Sequence, residues 1–419
     1  MSDVIALPSE TVAHLDQASP TGFAQWYHDL VVVVMVSLLF SSVTAYLFSS
    51  GMFPLPPLAW AIVIGGLTAP LFFSLGTWRT LTSSRVLPWC GLYLLISAAS
   101  YLWSAQSGAV VQELRTRVLA VIVLLLPVVA LSTSRAVLVA RRTLVACVFV
   151  AIITNVYEVF HPLTFSGIVG RSAGYYENPN SSASALVVAL ILSLEIVPKR
   201  YRAFYLIAGC AGVALTVSRG AVLTGLIAFG YLWHRDLIQA KRLVVAIAAA
   251  GLVVVGVLVV SGQARQILEV AQIAARTGVL DRITDPAAAM QGADNSANLR
   301  ADAAVRAWEQ FKLNPILGRG IGSTLGAFGL PSTHNIYLRH LAEFGFLGMM
   351  FWPLLLVAAT SGANARARPT AVAFLVAMLI FGLFSHNMLD EWHCLIAVGL
   401  MSAIARRDLI APPRLERIK

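Results

Sequence analysis

The sequence predicts an all-α polytopic membrane protein: about twelve transmembrane helices, with one large, partly helical periplasmic loop between the ninth and tenth. Three observations predict it. Of 419 residues, 58% are hydrophobic and 12% are charged, and the mean hydropathy is +0.78; a soluble domain carries about 25% charged residues. The apolar residues gather in runs close to the ~20 needed to cross a bilayer, where backbone polar groups must be satisfied within the segment. No segment shows the regular alternation of a barrel strand, so the runs are read as helices.

In order, the spans fall near 29–49, 56–76, 86–104, 116–132, 142–160, 181–197, 202–217, 220–233, 243–262, 341–360, 370–388 and 391–405. They divide the chain into an N-terminal cytoplasmic tail (1–26), the first nine spans (27–262), the large loop (263–340), the last three spans (341–405) and a basic cytoplasmic tail (406–419). The first 26 residues contain no Lys or Arg and do not read as a signal peptide. No internal repeat is evident.

A net charge of +10 in a soluble protein would point to nucleic acid. Here the cations fill short connections between apolar runs, so the predicted surroundings are membrane lipid, and no nucleic-acid partner is expected. Alternate connections hold Arg79 and Arg85; Arg135, Arg141 and Arg142; Lys199, Arg200 and Arg202; Arg235, Lys241 and Arg242; Arg366 and Arg368; and the tail from Arg406. The opposite connections hold only Arg115, Arg117, Arg171 and Arg219. This asymmetry predicts both termini cytoplasmic and the long loop outside, in the periplasm if the source is a Gram-negative bacterium. Long loops do not obey the charge rule, so the cations from Arg265 to Arg339 do not oppose it. Cys90, Cys147, Cys210 and Cys394 all lie in apolar runs without a CxxC spacing, and read as small buried hydrophobes.

Within the long loop, Leu299 to Leu313 has a helical stripe of Ala303, Ala307, Trp308 and Phe311, stopped by Asn314-Pro315. His334 precedes the tenth span at its outer end. An imidazole with an unperturbed pKa of about 6.5 suits removal of a hydroxyl proton, and equally suits a cap or an interfacial position. Arg219 stands at the outer side between two short spans, against the charge bias; a guanidinium there is costly, and its fork suits phosphate. Snorkelling at a helix end is the plainer reading. The outer loop from Arg171 to Asn180 offers Tyr175, Tyr176, Asn178 and Asn180 as contacts for a polyol, with a helix cap made by Asn180 or Ser181 as the plainer reading. The last outer turn, Ser385 to His393, presents Asp390 as a substrate contact or as an orienting group; no metal site of known spacing is present in it. Gly318-Arg319-Gly320-Ile321-Gly322 lacks the ending of a phosphate loop and reads as a tight turn.

Four pieces, in this order and spacing, resemble the O-antigen ligase and polymerase superfamily of bacterial membrane glycosyltransferases. They are Gly174…Asn178-Pro179-Asn180; Ser218-Arg219-Gly220; Arg300…Trp308…Asn314-Pro315-Ile316-Leu317-Gly318-Arg319-Gly320; and His334-Asn335…Leu338…Glu343-Phe344-Gly345…Gly348. The resemblance covers roughly 165–350 and, with the span count, looks like the ligase branch. It implies that His334, Arg219 and Arg300 are catalytic; beside them, Arg171, Tyr176, Asn178, Asn180, Arg319, Asn335 and Asp390 are read from this sequence as substrate-binding candidates. Arg319 departs from the small residue usual in that Gly-x-Gly turn. The implied donor is an undecaprenyl-pyrophosphate-linked glycan and the acceptor is the lipid A core oligosaccharide, with no cofactor and no metal. The same pieces fit an O-antigen polymerase or a protein O-oligosaccharyltransferase. A twelve-span transporter is a different class; it would show two similar halves, which this chain does not.

Overall fold

The computed structural model describes residues 22–168, 170–239, 295–325 and 333–406. The predicted ninth span, 243–262, and the first part of the long loop lie outside these residues. The helices are α1 (Gly22–Met35, continued by a wide turn Val36–Phe40), α2 (Val43–Ser49), α3 (Pro57–Phe72), α4 (Leu75–Thr82), α5 (Val86–Ser100), α6 (Gly108–Ala130), α7 (Ser134–Phe160), α8 (Pro179–Ser193), α9 (Arg202–Leu215), α10 (Arg219–His234), α11 (Asn295–Leu313), α12 (Ile336–Phe344), α13 (Phe346–Met349), α14 (Phe351–Thr360), α15 (Arg368–Phe384) and α16 (Trp392–Arg406). Among the described residues there is no strand.

Every predicted span except 243–262 coincides with helix. Polar residues start several of them: Ser74, Ser107, Thr133 and Asn178 each accept a hydrogen bond from a backbone N–H in the first turn of α4, α6, α7 and α8. By length and composition, four stretches suffice to cross a membrane alone: Gly22–Phe40, Val86–Trp103, Ser134–Phe160 and Pro179–Ile196. A fifth is gained if Pro57–Phe72 and Gly76–Thr82, bent by 111°, count as one. Shorter apolar helices fill the remaining positions, among them Arg202–Leu215, Arg368–Phe384 and Trp392–Arg406.

The centre of the bundle is α8 and α16, whose side chains are buried almost all round. A helix apolar on every face belongs in a core. Close approach is set by glycine: a Cβ at Gly399 of α16 would overlap the Pro127 ring of α6, and one at Gly220 of α10 would press on the Phe384 ring of α15. On the outside, Leu95, Ile153 and Leu226 stay more than 60% exposed. Large apolar side chains facing outward fit a lipid surround.

Two expectations change. The fourth span begins not near 116 but at Gly108, because Ser107 caps the helix two turns earlier. Arg117 is therefore inside α6 and not a loop cation; it is 1% exposed. The tenth span is not continuous: Gly345, at φ +67°, ends α12 and lets the chain restart as α13 and α14. Since α12 starts at Ile336, the boundary placed at 340/341 runs through a helix.

Candidate active site

The cations and the site residues separate along the helices. At one end, Arg141 of α7 donates to the Leu192 carbonyl (2.7 Å) and pairs with Glu195 (3.0 Å) beyond α8. There too, Arg202 of α9 donates to the Leu237 carbonyl (3.2 Å), and Arg406 ends α16. The opposite end gathers the start of α8, the α9–α10 turn, the 385–391 turn and the entry to α12.

There, the Arg171 guanidinium donates from Nε to the Thr216 carbonyl (2.9 Å) and from Nη2 to Asn180 Oδ1 (2.9 Å). Asn180 Oδ1 also accepts from Ser218 Oγ at 3.1 Å. Arg171 and Asn180 thus lock the outer loop onto the turn that presents Arg219, the first residue of α10. Asn178 is the cap of α8. Tyr176 is buried with its ring edge-on to His393 (5.6 Å), so its ring is occupied by packing. Glu391 accepts from Ser181 Oγ (2.8 Å), tying the 385–391 turn to the same face.

His334 has φ +47°, a left-handed backbone that costs a non-glycine residue roughly 1–3 kcal/mol and that concentrates at functional sites. Asn335 caps α12, its Oδ1 accepting from Tyr337 N (2.9 Å) and Leu338 N (3.1 Å). The His334 ring meets His386 at right angles, with centroids 5.2 Å apart. Sequence reasoning passed over His386. Burial, then the Arg339 charge and His334, push its pKa down to about 3, so it is neutral at pH 7.

Behind the two histidines lies a buried ionic cluster. Arg339 of α12 donates to the His386 carbonyl (3.2 Å) and to Asp390 Oδ2 (2.9 Å), and pairs with Glu113 of α6. Arg117 holds Glu113 Oε1 (3.1 Å), Ser97 Oγ (3.3 Å) and Glu343. Glu343, fully buried, also accepts from Gly322 N and Thr324 Oγ1, both at 3.2 Å. Burial raises the Asp390 pKa against the opposing pull of Arg339. Asp390 thus reaches Arg339, and the arginine fixes the turn that carries His386. The signal for this cluster was present: Glu113 with Arg117, and Arg339 with Glu343, are each four apart on a helix.

The Asn314–Gly322 turn clamps the end of α12. Arg319 N donates to the Ala342 carbonyl, Gly320 N to Glu343 and Phe346 N to Pro315, all at 2.9 Å. A Cβ at Gly318 would collide with the Glu343 backbone, and one at Gly345 with the Ile316 carbonyl. The Arg319 side chain is exposed. α11 packs on this unit through buried Ala303, Ala307 and Phe311, with Phe311 edge-on to Phe346 (5.0 Å); Trp308, expected in the same stripe, is 46% exposed. Arg300 lies in the first turns of α11. Its side chain is outside the described residues. Among the described residues, no group of three or more His, Cys, Asp or Glu is arranged to hold a metal ion.

No curated protein matches the chain. A family model described as O-antigen ligase matches residues 203–352, a range that takes in Arg219, Arg300, Arg319, His334, Arg339 and Glu343 and leaves out Arg171, Asn180 and Asp390. Residues 203–352 are thus similar to the O-antigen ligase family, within a chain whose apolar helices suit a membrane.

Proposed function

We propose that the protein is an O-antigen ligase, a glycosyltransferase of lipopolysaccharide biosynthesis. It moves a glycan from undecaprenyl pyrophosphate to a hydroxyl of the lipid A core at the periplasmic face of the inner membrane. The observation that carries this reading is His334: a strained backbone, a neutral histidine against its ring and a buried arginine fixing that neighbour, all inside the matched domain. A base held this way is suited to one hydroxyl in one orientation.

In the proposed step the acceptor O–H attacks the sugar C1, its proton passes to His334, and the bond from C1 to the pyrophosphate oxygen breaks. The electron pair leaves with undecaprenyl pyrophosphate. Attack from the face opposite the leaving group inverts C1. Arg219 and Arg300 stabilise the charge that grows on the pyrophosphate, and two guanidinium groups do this without a divalent metal. Arg171 and Asn180 position Arg219 through the α9–α10 turn. The crowding of loop and tail cations at the other helix ends supports a periplasmic site and cytoplasmic termini.

The test is a strain lacking its own ligase, supplied with this gene or its His334→Ala form, with the lipopolysaccharide separated on a gel. A ladder of long chains restored by the wild type and absent with the variant is expected. No ladder from well-expressed wild type with matched substrates would turn the reading to a polymerase or a protein-directed transferase.

A further inference from the structure

At the end of the bundle opposite His334, a cleft opens where the end of α14, the start of α5 and the end of α16 meet. It is a shallow cleft of about 30 Å³, and its lining includes Ser83, Arg85, Ala359, Gly362, Ser402 and Arg406. Small-molecule pockets usually span about 300–1,000 Å³, so this cleft admits no whole cofactor, only the end of one ionic group entering from its open side. The lining has two cations and no carboxylate.

The two guanidinium groups are differently held. Arg406 donates from Nε to the Ser402 carbonyl (3.2 Å) and from Nη1 to the Thr80 carbonyl (2.8 Å). These bonds answer the helix C-termini that converge here, whose partial negative charge favours a cation. They do not account for Nη2, which is buried and has no hydrogen-bond partner. A snorkelling arginine would place that nitrogen in water. Across the cleft, exposed Arg85 donates from Nη1 to Ser361 Oγ at 2.5 Å. Neither arginine belongs to an ion pair among the described residues. A buried charge is costly unless paired, and a guanidinium fork matches the oxygens of a phosphate. Arg366 and Arg368, both exposed, follow in the connection after Gly362.

We propose that this cleft is an anion site that takes a phosphate group, held between Arg85 and Arg406. The proposal is independent of the transfer chemistry at the other end. Its test is thermal unfolding of the purified full chain in an uncharged detergent. One arm adds inorganic phosphate, with chloride at equal ionic strength as control; the other adds phosphatidic acid, with phosphatidylcholine as control. A ligand that binds only the folded state raises the melting temperature in proportion to its saturation. Wild type should be stabilised, and Arg406→Gln and Arg85→Gln should each weaken apparent binding at least tenfold. Arg85 is exposed, so its variant keeps the test valid if Arg406→Gln folds poorly. Stabilisation by phosphatidic acid alone identifies a lipid headgroup; stabilisation by both ligands, or by inorganic phosphate alone, identifies a site open to free phosphate. No stabilisation of wild type in either arm, or equal stabilisation of wild type and Arg85→Gln, overturns the proposal.

Discussion

Glu343→Gln probes the ionic cluster most sharply, because it keeps the side-chain shape and removes one charge. Arg117 and Arg339 are offset by Glu113 and Glu343, all of them buried. Asp390 pairs with Arg339 at 2.9 Å, so Arg117 depends on Glu113 and Glu343. The variant leaves Arg117 with Glu113 alone and turns an amide N–H toward it. Breaking a buried pair on one side costs about 3–5 kcal/mol. The acceptor for Gly322 N and Thr324 Oγ1 is retained, so little is added for those bonds. By contrast, Arg117→Leu with Glu343→Leu removes both charges together and leaves Arg339 with Glu113. The double variant should be more stable than the sum of its single variants by at least ~1 kcal/mol, as residues in direct contact are coupled. The assay is thermal or denaturant unfolding of the purified protein in one detergent. A Glu343→Gln protein that melts with wild type, or a double variant as unstable as the summed singles, would refute the claim that this pair is a coupled buried unit.

Two further outcomes follow from the same region. Gly345→Ala should lower stability by more than ~2 kcal/mol, since φ +67° with ψ −154° lies in a region nearly confined to glycine that costs a side chain roughly 1–3 kcal/mol, and its Cβ must also displace the Ile316 carbonyl; Gly51→Ala, at φ +72° with open space around it, is a control free of that collision. An equal loss in both would remove the clamp from the account. His386, facing Arg339, His334 and the Asp390 turn, is held at a pKa of about 3 when folded and returns to about 6.5 when unfolded. Below pH 6.5 only the unfolded chain takes up that proton, so folded stability falls as pH drops, by roughly 2 kcal/mol at pH 5. His386→Asn should flatten the dependence of melting temperature on pH between 5 and 7, and an unchanged slope would count against a neutral buried imidazole.

Hydropathy located the helices because each apolar run is long enough to be read locally. It misplaced the start of α6, since Glu113 and Arg117 interrupt the run although they neutralise each other inside the helix. It also missed the break at Gly345, which depends on the Pro315–Ile316 turn pressing on that glycine. The same division holds at the site. Arg171, Asn180 and the Ser218–Arg219 turn do come together. Tyr176 and Asn335, chosen for chemistry that suits sugars, are engaged by packing and by a helix cap. His386 and Arg339 were not chosen because their partners lie far away in the chain: Arg339 reaches Glu113 across 226 residues. Arg300 lies on α11, and its proposed role rests on the family resemblance.

The most direct measurement of the central claim is transfer by the purified protein. It would be supplied with an undecaprenyl-pyrophosphate-linked glycan and lipid A core, comparing wild type with His334→Ala, Arg219→Ala and Arg300→Ala. General-base catalysis contributes about 10²–10⁴-fold and electrostatic stabilisation of a leaving group a similar amount. The account predicts that wild type joins glycan to core and that each variant, still folded in the membrane, loses at least ~100-fold in rate. Transfer by His334→Ala within a few-fold of wild type would contradict it.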